Sequence, residues 1–281
     1  MNLDCETPEL AEQSLAEILR IDRPRLQNRL REITEADFEV NTDLVSDRWL
    51  PMLNEVAGRK VEDADHGQTH WFHATRAKDL NSFREGIRSL PRQLNETWAS
   101  LYPLVEDCVS PEEWRDFRRA TEKDNFGGHA PEVIKAWMSN EGPYAFLFAE
   151  SPLHPGKIGN HDYLATSELM EFISVCFERK YRVSLHDRHH AATVPALIKF
   201  TTEGIKAAHL GAAFDYLLHR ANGWSLSCLS PCFSGEGQPI SPVQMVKAIP
   251  VMQTAGLHAR HSTYILSPLK QHVSLRASCV A

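Results

Sequence analysis

His73 and Thr75 stand two apart in "THWFHATRAKDLNSFREGI" (Thr69–Ile87), a run whose Trp71 and Phe72 read as strand. A strand alternates faces at every residue, so the imidazole and the hydroxyl project from the same side. Buried polar groups are hydrogen-bonded or face a cleft. Such a pair can hold the hydroxyls of a ligand. The plainer alternative is a core histidine bonded to a neighbour, beside a threonine that merely suits a strand.

Other chemistry-bearing groups are weaker. His186-Asp187-Arg188-His189-His190, His161-Asp162 and His66/His70 carry metal-ligand residue types. Their spacing fits no recognised ligand motif, so no metal is assigned, and His186–His190 is read as a polar turn. Cys228 and Cys232 form a lone C-x-x-x-C and read as buried free thiols. The chain has no G-x-x-x-x-G-K-[ST], no nucleophile elbow and no H-E-x-x-H. That argues against P-loop NTPases, α/β-hydrolases and zincins.

The elements that must position these groups follow from the pattern. Residues 7–58 read as three helices: one opened by Thr7-Pro8-Glu9, one over Arg23–Ile33 and one over Leu44–Val56. Residues 59–68 are polar and read as a boundary. Thr69–Thr75 is strand-like, and Asp79–Glu85 is a short helix ending at Gly86. Ser110-Pro111-Glu112-Glu113 is a capping box that opens a further helix. Asp124–His129 reads as a loop and Pro131–Met138 as a short helix. Gly142–Glu150 is a buried strand, and Ser151–Thr166 a long loop of the kind that often carries function. Helices are expected over Glu168–Lys180 and Glu203–Ala221, the latter ended by Asn222-Gly223. Strands are expected over Val194–Phe200, Trp224–Leu229, Met245–Met252 and Ser262–Ser267. This mixture without strict βαβ alternation is α+β: a helical segment over residues 1–65 and an α+β domain over 66–281.

The stretch "WFHATRAKDLNSFREGI" resembles the first strand and helix of the ADP-ribosyltransferase fold, in its diphtheria-toxin-like and poly-ADP-ribose-polymerase-like branch. The family pattern is H-G-[ST], then a short helix ending in G-[LI]. His73, Thr75, Phe83, Gly86 and Ile87 stand in those places, with Ala74 where the family has glycine. The resemblance implies a split β-sheet core with flanking helices that binds NAD as a substrate. It implies that His73 and Thr75 anchor the dinucleotide and that Arg76 meets its pyrophosphate. Tyr163 would stack on nicotinamide, with Tyr144 as a wall of the pocket. Glu236, in "SGEGQPISPVQMVKAIPV", would face the ribosyl cation, with Gln244 and Glu168 as rivals. Glu168 alone is ordinary for a helix's first turn. The implied activity is transfer of ADP-ribose to a protein or nucleic-acid acceptor, as in bacterial toxins and phage-defence effectors. A non-catalytic nucleotide-binding module of the same fold and a metal-dependent hydrolase using the histidine clusters are the competing readings.

Bulk properties narrow the setting. At 281 residues with 42% hydrophobic and 24% charged residues, the chain can bury a core without disulfides or metal. Six cysteines in no framework point to a reducing cytosol, hence a cytoplasmic protein. The acidic start "MNLDCETPEL" has no apolar core and does not read as a signal peptide, and no run approaches a membrane span. Residues 1–65 hold 16 Asp+Glu against 8 Lys+Arg, whereas 66–281 hold 21 against 22. The acidic excess is a solvated surface or a docking face for a basic protein partner. Neither part is basic enough to announce broad nucleic-acid binding.

Overall fold

A computed structural model describes residues 1–34, 45–123, 142–224, 231–254, 263–267 and 273–275. It is a mixed α/β protein with a largely antiparallel sheet and flanking helices. The strands are β1 (Asn2–Leu3), β2 (Ala64–Ala77), β3 (Tyr144–Phe146), β4 (Val194–Ile205), β5 (Cys232–Ser234), β6 (Met245–Thr254), β7 (Thr263–Leu266) and β8 (Val273–Ser274). Their hydrogen-bonded order is β5-β3-β2-β4-β6-β7, with β1 on β2 and β8 on β6. Among the described residues, no helix is long and apolar enough to cross a membrane.

The chain divides into two compact units and passes between them inside β2 and β4. The first comprises Met1–Phe72, Ala145–Asn160 and Lys199–Phe233. It therefore takes in the helical segment expected over 1–65 and adds later stretches of chain to it. Its helices are α1 (Pro8–Leu19), α2 (Arg23–Glu32) and α3 (Val45–Ala57), with α6 (Pro155–Ile158) and α9 (Ala207–Asn222). The Thr7 hydroxyl accepts the Leu10 N–H at 3.3 Å, and an Asp22 carboxylate oxygen accepts the Arg25 N–H at 2.7 Å. Both bonds satisfy N–H groups that the helix cannot. Leu15, Leu19, Leu26, Leu53 and Phe214 are buried, and Trp49 packs on Phe214 with centroids 5.8 Å apart. Burying such side chains contributes about 1.5–3 kcal/mol each, enough to offset the interior Pro51 of α3.

β2 starts at Ala64, earlier than its apolar residues suggest, and β1 pairs with it in parallel at Asn2↔Gln68 and Leu3↔Thr69. Gln68, which looks like part of a polar boundary, thereby gains a ladder partner. Phe72 pairs with Phe146 of β3 in the antiparallel sense. β4 likewise continues to Ile205, so the helix expected from Glu203 begins at Ala207. It ends as expected at Gly223, whose N–H bonds the His219 carbonyl.

The second unit comprises His73–Tyr144, His161–Ile198 and Ser234–Ala281. It holds α4 (Leu90–Leu101), α5 (Pro111–Lys123), α7 (Glu168–Tyr181) and α8 (Leu185–Ala192). The Ser110 N–H and Oγ–H donate to Glu113, and the Glu113 N–H donates back to Ser110 Oγ at 3.2 Å, which is the expected capping box. Trp98, Trp114, Phe117, Ile173, Phe177 and Leu185 form the helical core. Trp98 meets Trp114 edge-on at 5.3 Å and Phe117 meets Phe177 at 5.4 Å, a geometry aromatic rings favour. β6 pairs with β7 (Met252↔Ile265) and with β8 (Ala248↔Val273).

Three local expectations are corrected. Residues 186–190 are helical, not a turn: the Ser184 hydroxyl caps the Asp187 N–H and Leu185 is buried. Of Gly142–Glu150, only Tyr144–Phe146 is strand, because bends and turns occupy 147–150. Ser151–Thr166 is not one open loop but contains a 3-10 turn (Ser151–Leu153) and α6. The loop at 124–129, the helix at 131–138 and most of the strand at 224–229, Cys228 included, lie outside the described residues.

Candidate functional site

His73 opens the second unit's share of β2. Its Nδ1 lies 2.7 Å from the Tyr144 carbonyl oxygen. A carbonyl only accepts, so Nδ1 carries the proton. Burial pushes the His73 pKa below the usual histidine value, against the opposing pull of that carbonyl. The ring is therefore neutral at pH 7 and presents Nε2 as an acceptor. Thr75 lies on the same face, two residues on. Among the described residues its Oγ1 reaches only its neighbour's carbonyl, at 3.5 Å, which leaves the hydroxyl weakly engaged. Ala74 is buried and points to the opposite face, so its methyl stands away from the His73–Thr75 side.

The Tyr144 carbonyl is held by His73 while the residue is 43% exposed. The next link is Pro143, whose carbonyl accepts the Gly235 N–H at 3.2 Å. The two segments run so close that a Cβ on Gly142 would sit 2.6 Å from Gly235 Cα and 2.8 Å from the Glu236 nitrogen. Glu236 follows in a left-handed conformation, φ +48°, with its N–H on Ser234 Oγ at 3.3 Å. Its side chain is exposed, and its carboxylate makes no hydrogen bond among the described residues. Beyond it, Ile240 exchanges two backbone bonds with Ile87, at 2.9 and 2.8 Å. Gly86 turns the chain there at φ +92°, and a Cβ on it would collide with the Ile240 carbonyl oxygen. Gly86→Ala is expected to cost about 1–3 kcal/mol of unfolding free energy. Urea denaturation checks it; a cost near zero would mean that the Ile87–Ile240 bridge is not formed.

Arg76 is placed differently from its sequence role. Its Nε donates to Thr193 Oγ1 (3.1 Å), Nη1 to the Leu164 carbonyl (2.9 Å), and Nη2 to the His190 and Thr193 carbonyls (3.0 and 2.8 Å). Four of five N–H donors are thus committed to protein oxygens. Burial lowers its pKa, while Tyr264 and Asp162 raise it. Arg76 is a clamp between β2, residues 161–166 and the end of α8, and it has no free fork for a pyrophosphate.

Tyr163 belongs to this clamp region. Its ring meets His161 edge-on, with centroids 4.9 Å apart. The 161–166 turn is held by His161 Nε2 against the Thr166 carbonyl (2.8 Å), by Asp162 accepting the Ala165 N–H (3.0 Å), and by Tyr264 donating to Asp162 at 3.1 Å. Asp162 and Tyr264 are positioning residues that the sequence reading missed. The D-x-x-A spacing of an Asx-type turn marks the first, but no local signal marks Tyr264.

The structure therefore links His73, Thr75, Tyr144 and the Glu236 loop in one neighbourhood. Arg76 stands three residues on from His73, ~10 Å along β2, and Tyr163 lies in the turn whose Leu164 carbonyl Arg76 binds. The rivals have other work. Gln244 accepts from the Ser241 N–H and hydroxyl, both at 2.9 Å, as a cap. Glu168 is exposed in the first turn of α7, which the Ser167 hydroxyl caps. Among the described residues, no three His, Cys, Asp or Glu side chains gather as a metal-binding group. Comparison with protein-family models, with curated proteins and with solved structures finds no match to this chain.

Proposed function

We propose that the chain is an NAD-dependent ADP-ribosyltransferase that transfers ADP-ribose to a macromolecular acceptor. The observation that carries this reading is the His73 Nδ1–Tyr144 carbonyl bond. It fixes a neutral imidazole with an acceptor nitrogen beside the Thr75 hydroxyl, a pair suited to the hydroxyls of a ribose. Pro143, next to Tyr144, holds the Glu236 loop, which supports a carboxylate near the same ligand. In the reaction the nicotinamide–ribose C–N bond breaks, nicotinamide leaves with the electron pair, and positive charge builds on the anomeric carbon. The acceptor nucleophile then bonds that carbon and loses its proton. Glu236 opposes the developing charge, Tyr163 and the exposed Tyr144 ring orient nicotinamide, and Arg76 holds the frame rather than the pyrophosphate.

A second reading keeps the fold as a nucleotide-binding module without turnover. It is favoured by the exposed Glu236 carboxylate, which makes no hydrogen bond among the described residues. NAD titration together with a nicotinamide-release assay on the full chain separates the two. His73→Ala is expected to weaken NAD binding about tenfold, through one lost acceptor. Because burial lowers the His73 pKa, wild-type binding should persist through the ordinary histidine range near ~6.5 and weaken only at lower pH, where Nε2 gains a proton. An unchanged dissociation constant in the variant removes the assignment.

A further inference from the structure

We propose that His186 and His190 form a two-nitrogen binding site for a late first-row divalent cation of the Cu(II) or Zn(II) class. The two lie four apart on α8, so they share one face of the helix. Their rings lie with centroids 6.1 Å apart and planes 29° from parallel, and both are partly exposed. Imidazole nitrogen suits Cu, Zn and Ni among the available cations. A ligating histidine is usually oriented by a carboxylate on its other ring nitrogen. Asp187 supplies that contact, with Oδ1 3.4 Å from His186 Nδ1. The carboxylate accepts, so Nδ1 carries the proton and Nε2 keeps the lone pair a cation needs.

The turn that carries them is already rigid. Ser184 caps the Asp187 N–H, Leu185 is buried, and Arg188 donates to the Leu104 carbonyl at 2.7 Å and to Asp107 Oδ2 at 3.0 Å. Little ordering remains to oppose binding. The Arg76 guanidinium near His190 disfavours added positive charge and Asp187 favours it. Two protein nitrogens leave the other coordination positions to water or an external ligand. This site stands independently of the ribosyl-transfer reading.

The test is titration of the chelator-treated full chain with CuCl2 alone, read by electron paramagnetic resonance. The expected result is one tightly bound equivalent whose spectrum shows coupling to two imidazole nitrogens. His186→Gln and His190→Gln should each weaken it more than about tenfold, and Asp187→Asn by less. Added Cu(II) should also raise the urea midpoint of the wild type and not that of the double variant. Failure of the wild type to bind overturns the proposal, as does a spectrum without two-nitrogen coupling or an affinity unchanged in the double variant. The wild-type spectrum decides on its own if a variant fails to fold.

Discussion

Glu236→Gln is expected to lower nicotinamide release by about 10²–10³-fold and to leave NAD affinity nearly unchanged. The transition state for leaving of nicotinamide carries positive charge on the ribose, as glycoside cleavage does. A carboxylate facing that charge acts mainly in the transition state, so its loss reads in turnover rather than in binding. The substitution is conservative for the fold. The loop is built from the backbone: Gly235 N–H on Pro143, the Glu236 N–H on Ser234 and the Gln238 N–H on Gly235 at 2.7 Å. The Glu236 carboxylate takes part in none of these bonds, and at φ +48° glutamine is strained no more than glutamate. A variant that binds NAD and retains full release would move the acid elsewhere, with Glu168 the next to replace. A wild type that binds NAD and releases nothing with any acceptor fraction would favour the binding module.

Short-range chemistry was readable in the sequence where one side chain satisfies one backbone group. Thr7-Pro8, Ser110-x-x-Glu113 and Asn222-Gly223 all cap helices as their order suggests. What could not be read is satisfaction from a distance. Gln68 and Thr69 of β2 pair with residues 2 and 3, a partner more than sixty positions away. Arg76 looked free because its four acceptors belong to Leu164, His190 and Thr193. His73 is the reverse case. Its type and spacing marked it, but only the Tyr144 carbonyl shows which nitrogen faces outward. The helix at Leu185–Ala192 was missed because five charged or histidine residues mask a single buried leucine and a serine cap.

Lys199→Met is expected to destabilise the protein by about 3–5 kcal/mol at pH 7. Lys199 is 4% exposed, and its ammonium lies 2.5 Å from Asp4 Oδ2, 2.7 Å from Glu6 Oε2 and 5.5 Å over the Phe72 ring. His70 Nδ1 stands 3.7 Å from the same Asp4 oxygen. Removing the cation withdraws the ammonium that bonds both nearly buried carboxylates, and that lost charge compensation, more than a lost bond, sets the cost. Adding Asp4→Asn and Glu6→Gln to Lys199→Met should recover much of the loss, since a fully neutral set has no stranded charge. Urea denaturation of the wild type, Lys199→Met and the triple variant at pH 7 measures all of this. A Lys199→Met protein within error of wild type would mean that water rather than Lys199 balances these carboxylates.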